Sequence, residues 1–242
     1  MNPVTLKEAV LLAQKIERDA TRTRNVEIVI APPFPFLLPV GRVLKKAKLG
    51  AQNMFWEDLG AFTGEVSWSE LKSLGADYCI IGHSERRINL GETDEMVNKK
   101  VKAALEHGIY PILCVGERER VGNEIPSVVG EQLKSALKGA KKSLIKNLIV
   151  AYEPVWAIST QAHARPDTPD NAFRAALFIR KIVASLFDRK TGEKVKIIYG
   201  GSVNSGNIAP FITEGRMQGA LVGGASLDPQ EFAKVIGAVS RI

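Results

Sequence analysis

The residues best suited to chemistry in this sequence are one glutamate, one histidine and two pairs of glycines. Glu153 ends the apolar run 148–152 and is followed by Pro154, which puts a carboxylate at a strand tip with a stiff hinge behind it. That is the arrangement of a general base at the root of a movable lid. His83 ends another apolar run, in Ile80-Ile81-Gly82-His83-Ser84-Glu85-Arg86-Arg87, and supplies an imidazole that can hand on a proton. Gly200-Gly201-Ser202 and Gly223-Gly224 follow the last two apolar runs, where glycine turns bring amide hydrogens close to phosphate oxygens. Each has a plainer reading: a salt-bridge carboxylate, a structural histidine, an ordinary turn.

The elements that must position these residues alternate. Leu6, Ala9, Val10, Ala13 and Ile16 recur at helical spacing, and Thr5-Leu6-Lys7-Glu8 has the reciprocal capping pattern, so the sequence opens on a helix. Seven strand candidates follow, at 27–31, 48–54, 77–81, 110–115, 148–152, 196–199 and 219–222. Polar periodic stretches at 92–107, 126–144, 169–187 and 229–239 suit crossover helices, and shorter candidates bring the helices to about eight. The alternation predicts a parallel α/β fold; periodicity alone leaves open sheet and barrel undistinguished.

At 242 residues the chain has the size of one α/β barrel, and 45% hydrophobic with 24% charged residues is ordinary for a globular domain. No composition break marks a linker, so one domain spanning 1–242 is expected. The net charge of +7 suits an anionic substrate, but the 33 Lys and Arg are scattered along helices, which reads as a solvated basic surface and not as a nucleic-acid face. Cys79 and Cys114 lie inside apolar runs, as reduced, buried thiols do, which points to the cytoplasm. No apolar run approaches membrane-spanning length, and the cysteines and histidines show no metal-ligand spacing, so neither a membrane nor a metal is expected.

Several segments in order carry a family resemblance: Ala31-Pro32-Pro33, Ala51-Gln52-Asn53-Met54, Gly60-Ala61-Phe62-Thr63-Gly64-Glu65, the His83 segment, Cys114-Val115-Gly116-Glu117, Tyr152-Glu153-Pro154-Val155-Trp156 and Tyr199-Gly200-Gly201-Ser202-Val203. Together they resemble triosephosphate isomerase. The resemblance implies a (β/α)8-type barrel, no cofactor, and interconversion of dihydroxyacetone phosphate and D-glyceraldehyde 3-phosphate through an enediol. It implies Glu153 as base and His83 as the neutral imidazole. Ser84 would hold Glu153 while the lid is open, and Glu85 would pair with a first-strand lysine. The Ser159 amide, Gly201, Ser202, Gly223 and Gly224 would receive the phosphate.

Two departures from the family pattern carry consequences. The family's Asn-Trp-Lys-Met-Asn segment is not found, since the sequence opens at Met1-Asn2; an incomplete barrel of seven strands, lacking that lysine, and a very weak isomerase are expected. A start placed too late is one origin of this, and loss of the strand is another. Lys7, on the first helix, is not a replacement. The lid reads Ser159-Thr160-Gln161-Ala162 and continues through Arg165-Pro166-Asp167 where the commoner continuation is Gly-Thr-Gly-Lys; His163 is assigned no role. A non-catalytic, phosphate-binding homologue is the alternative, with a different phosphate-binding barrel enzyme behind it. The open seam, together with the Asn53–Glu65 loop and its Thr63, predicts a homo-oligomer, in the simplest case a homodimer.

Overall fold

The computed structural model describes residues 2–159 and 164–242. Six apolar runs become strands: β1 (Val29–Ile30), β2 (Lys48–Ala51), β3 (Ala76–Ile81), β4 (Tyr110–Val115), β5 (Ile149–Tyr152) and β6 (Lys196–Tyr199). They form one sheet in chain order, every neighbouring pair parallel. Parallel neighbours need a crossover, and helices provide it. The helices are α1 (Leu6–Arg22), α2 (Leu37–Gly41), α3 (Trp68–Ser73), α4 (Ser84–Asn89) and α5 (Asp94–Glu106), then α6 (Ser127–Leu137), α7 (Pro169–Leu186), α8 (Arg189–Lys194), α9 (Ile208–Thr213) and α10 (Pro229–Val239). The capping pattern at the first helix is realised: Thr5 Oγ1 accepts from the Glu8 amide at 3.2 Å, and the Glu8 carboxylate accepts from the Thr5 amide at 3.1 Å. No helix among the described residues is long and apolar enough to cross a membrane.

The sheet curls, and its two faces build two cores. Outside, Ile81, Leu113, Val150 and Ile197 pack under helix residues such as Val97, Leu133, Ile179 and Phe211. Inside, Tyr78, Ile112, Cys114 and Ala151 cluster with Val29, Ile80, Ile149, Ile198 and Leu221. Burial on both faces is why these strands read as unbroken apolar runs and not as alternating ones.

The expected count of seven strands and about eight helices is corrected. Among the described residues six strands form ladders and ten α-helices are present. Among the described residues, 219–222 join the sheet through one bridge, Tyr199↔Ala220. The additional helices are pieces of five or six residues, such as α2, α3, α4, α8 and α9, too short to announce themselves by periodicity. Between β1 and residues 219–222 lies a cavity of about 360 Å³, with α1 and α10 packed together along its outer side.

Candidate active site

Glu153 and His83 leave the C-terminal ends of β5 and β3, two strands apart, and point to the same place. His83 Nε2 lies 2.9 Å from Glu153 Oε1, off the axis of a well-angled hydrogen bond. Glu153 is almost wholly buried, and its Oε2 accepts from the Ser84 backbone amide at 3.0 Å. The expected role of Ser84 therefore falls to its N–H; the Ser84 hydroxyl has no partner among the described residues.

The histidine is oriented from behind. It caps α4, and its Nδ1 accepts the Glu85 amide at 3.2 Å, so in the neutral ring the proton sits on Nε2, toward Glu153. Burial pulls the His83 pKa down, but the contact with Glu153 and its charge, with Glu85 behind them, lift it above the ordinary 6.5. The Glu85 carboxylate is largely exposed and comes within 3.8 Å of His83 Nδ1.

Glycines clear the space that Glu153 occupies. A Cβ on Gly116 would stand 1.7 Å from the Glu153 carbonyl oxygen, and one on Gly200 would stand 2.8 Å from Glu153 Cγ. Gly223 and Gly224 are different, because a Cβ there would meet nothing within 4 Å. They face open space, as Gly64, Gly75, Gly91 and Gly122 also do. At Gly201 a Cβ would strike the Tyr199 hydroxyl at 2.3 Å, so this glycine serves packing.

The segment that follows β5 is fastened on both sides of residues 160–163. On the near side, the Trp156 indole donates to Glu117 Oε1 at 2.9 Å and the Tyr152 hydroxyl donates to the same oxygen at 2.8 Å. The Ser159 amide donates to Ser202 Oγ at 2.7 Å, and that hydroxyl donates to the Ala157 carbonyl at 2.8 Å. On the far side, Arg165 donates to the Arg120 carbonyl at 2.7 Å and lies over the Trp156 ring at 4.8 Å, while the Tyr199 hydroxyl donates to Asp167 at 3.2 Å. Burial raises the pKa of Glu117 and of Asp167 against these hydrogen bonds.

A buried carboxylate, an imidazole whose Nε2 faces it and glycine loops beyond the strand tips can move a proton between carbons of a small carbonyl compound. The family profile described as triosephosphate isomerase matches residues 1–239. The chain belongs to the triosephosphate isomerase family. The triosephosphate isomerase of Dictyoglomus thermophilum is 47% identical over 214 residues, covering 87% of this chain and 85% of its own. Those of Caldanaerobacter subterraneus subsp. tengcongensis and Endomicrobium trichonymphae are 46% and 45% identical over 236 residues, covering 96% of this chain and 94% and 93% of theirs.

Within this triosephosphate isomerase fold, sequence reasoning missed Glu117, Arg120, Arg165 and Asp167 as one fastening network. The signal available was position: Glu117 lies two residues past β4, near the tip where Glu153 follows β5, and Arg165 and Asp167 sit where the segment after β5 departs from the family pattern. It also missed the buried Lys100, which pairs with Glu92 and donates to Asn53 Oδ1 at 2.8 Å. Thr160, Gln161, Ala162, His163 and Met1 lie outside the described residues. No group of three or more His, Cys, Asp and Glu among the described residues stands where it could hold a metal ion.

Proposed function

We propose that this chain interconverts dihydroxyacetone phosphate and D-glyceraldehyde 3-phosphate, acting as one barrel domain over residues 1–242 in the cytoplasm and needing no cofactor. The observation that carries the reading is the facing of Glu153 and His83 at 2.9 Å. Glu153 removes a proton from one carbon and returns it to the next, while His83 Nε2–H serves the substrate oxygens through the enediol. The phosphate sits against Gly223 and Gly224, with Ser202 and Gly201 opposite. Glu85 and Ser84 support the pair from α4.

Turnover by these 242 residues is slow. Lys7, the first lysine of the sequence, lies exposed on α1 and does not supply the fixed positive charge that the resemblance implies for the developing enediolate. One observation favours a second reading, a phosphate-binding homologue impaired in catalysis. The Ser159 amide and the Ser202 hydroxyl, both proposed for phosphate, are spent on each other. Self-association is part of the proposal: Leu59 and Phe62 are exposed in the loop that carries Thr63.

A coupled isomerase assay on the chain and on Glu153→Ala tests the reading. Slow turnover that is lost in the variant is expected, with weak binding of a phosphate-bearing analogue that drops when Gly224 is made bulky. Turnover equal to that of a complete relative would overturn the claim of slowness; neither turnover nor analogue binding would overturn the site.

A further inference from the structure

Three cations of α1 gather where that helix meets α10. Lys15, Arg18 and Arg22 follow one another at intervals of three and four residues, so they form one stripe of the helix, roughly 10 Å long along its axis. All three line a second cavity, of about 340 Å³, whose other wall is the start of α10 with Pro229 and Gln230. Asp19 is the one acid lining it among the described residues. Lys15 and Asp19 stand four residues apart with the cation first, as do Arg189 and Glu193 of α8, which pair at 2.7 Å. Yet among the described residues neither Asp19 nor any of the three cations makes an ion pair.

The dipole of α1 accounts for Arg22, which sits in the last turn, but its effect fades within that turn and leaves Lys15 and Arg18 without a reason to be there. The amides of α10 are not the attraction either. Pro229 has none to give, and Asp228 Oδ1 already accepts those of Gln230 at 2.8 Å and Glu231 at 3.3 Å. What the cavity offers is side-chain charge, three positive against one negative. We propose that it binds a chain of phosphates, two or more phosphoryl groups joined end to end, held by Lys15, Arg18 and Arg22 with the Gln230 carboxamide as a further donor. Each guanidinium grips a phosphate with paired N–H donors, and the lysine adds a point charge. A single phosphate reaches two neighbouring cations of the stripe; only an extended anion spans roughly 10 Å to meet all three. A volume of 340 Å³ lies near the small end of ligand pockets, which start at about 300 Å³, and suits a compact polyanion. None of these residues belongs to the isomerase site proposed above.

The test uses the whole chain with sodium tripolyphosphate as probe, followed by calorimetry and by the Nε–H signals of Arg18 and Arg22 in NMR spectra. Saturable binding that moves both signals is expected, with orthophosphate weaker by about tenfold or more. Arg18→Glu is expected to weaken tripolyphosphate by about tenfold or more, whereas Lys190→Glu, an equal change of charge on α8 outside the cavity, is expected to leave it unaltered. If the reversal disturbs the fold, Arg18→Gln replaces it with the same expectation. Adenosine triphosphate separates two sources of the same chemistry: affinity equal to that of tripolyphosphate supports a free phosphate chain, and tighter binding supports a nucleotide. Equal weakening by Arg18→Glu and Lys190→Glu would reduce the attraction to diffuse surface charge and overturn the proposal. So would arginine signals that do not move, or a tetraglutamate peptide that binds as tightly as tripolyphosphate, which would make the occupant an acidic chain. Phosphate held at Gly223 and Gly224 moves neither arginine signal, so failure here is read separately from failure of the isomerase reading.

Discussion

Glu153 is held in place as much by what its neighbours lack as by its own strand. The Glu153 amide donates to the Val115 carbonyl at 2.8 Å and the Val155 amide to the Glu117 carbonyl at 3.0 Å, so the β4 and β5 backbones run side by side past the ladder, and a methyl on Gly116 lands on the Glu153 carbonyl. Gly116→Ala is expected to cost about 3 kcal/mol or more in urea denaturation, because the clash is with backbone that no rotamer change relieves. A cost below roughly 1 kcal/mol would show that the β4 tip moves freely. His83 gives a pH signature. Its folded pKa lies above 6.5, so its share of stability is present below about pH 6.5 and is lost as the pH rises through the folded value. His83→Gln is therefore expected to destabilise more at about pH 5.5 than at about pH 8.5. The opposite order would mean that burial outweighs Glu153 in setting the pKa.

At the scale of elements, residues 154–159 and 164–168 are two flanks tied to the strand tips. Arg165 makes the far tie, and its hydrogen bond and ring contact are together worth about 1–2 kcal/mol. Arg165→Ala is expected to speed amide exchange at residues 164–168 by roughly five- to thirtyfold while leaving α7 unchanged. Exchange unaltered at 164–168 would put the fastening on Tyr199 and Asp167 instead. Position marked Glu117, Arg165 and Asp167 in the sequence, but not their partners, since these side chains meet across 30 to 45 positions. The strands themselves were legible: 110–115 and 196–199 are apolar runs long enough to fix their own limits, and both ends agree with β4 and β6. Residues 229–239 likewise agree with α10, where Asp228 caps and Pro229 opens the first turn. Residues 219–222 were legible as an apolar segment but not as a partner, because pairing depends on what stands on each side. Glu153 and His83 were singled out by their place after apolar runs; their separation of 2.9 Å needed the fold.

For the whole molecule the open side dominates. At about 24 cal/mol per Å³, a closed void of this volume would cost roughly 9 kcal/mol, comparable with the entire stability of a domain. Such a space invites cover, and light scattering across a dilution series is expected to show a homo-oligomer; a compact monomer at every concentration would defeat that expectation. The position of the opening also divides the site. His83 and Glu153 hang from β3 and β5, each hydrogen-bonded to a strand on both sides, whereas Gly223 and Gly224 continue a segment that, among the described residues, pairs on one side. Warming should therefore not blunt the site evenly. On the proposed function, grip on the phosphate is expected to fail first, as the outer segment frays, while Glu153 and His83 keep their spacing until the sheet itself melts. A rising KM at nearly constant kcat on approach to the midpoint of unfolding would be the kinetic trace of a site built half on bedrock and half on a bank.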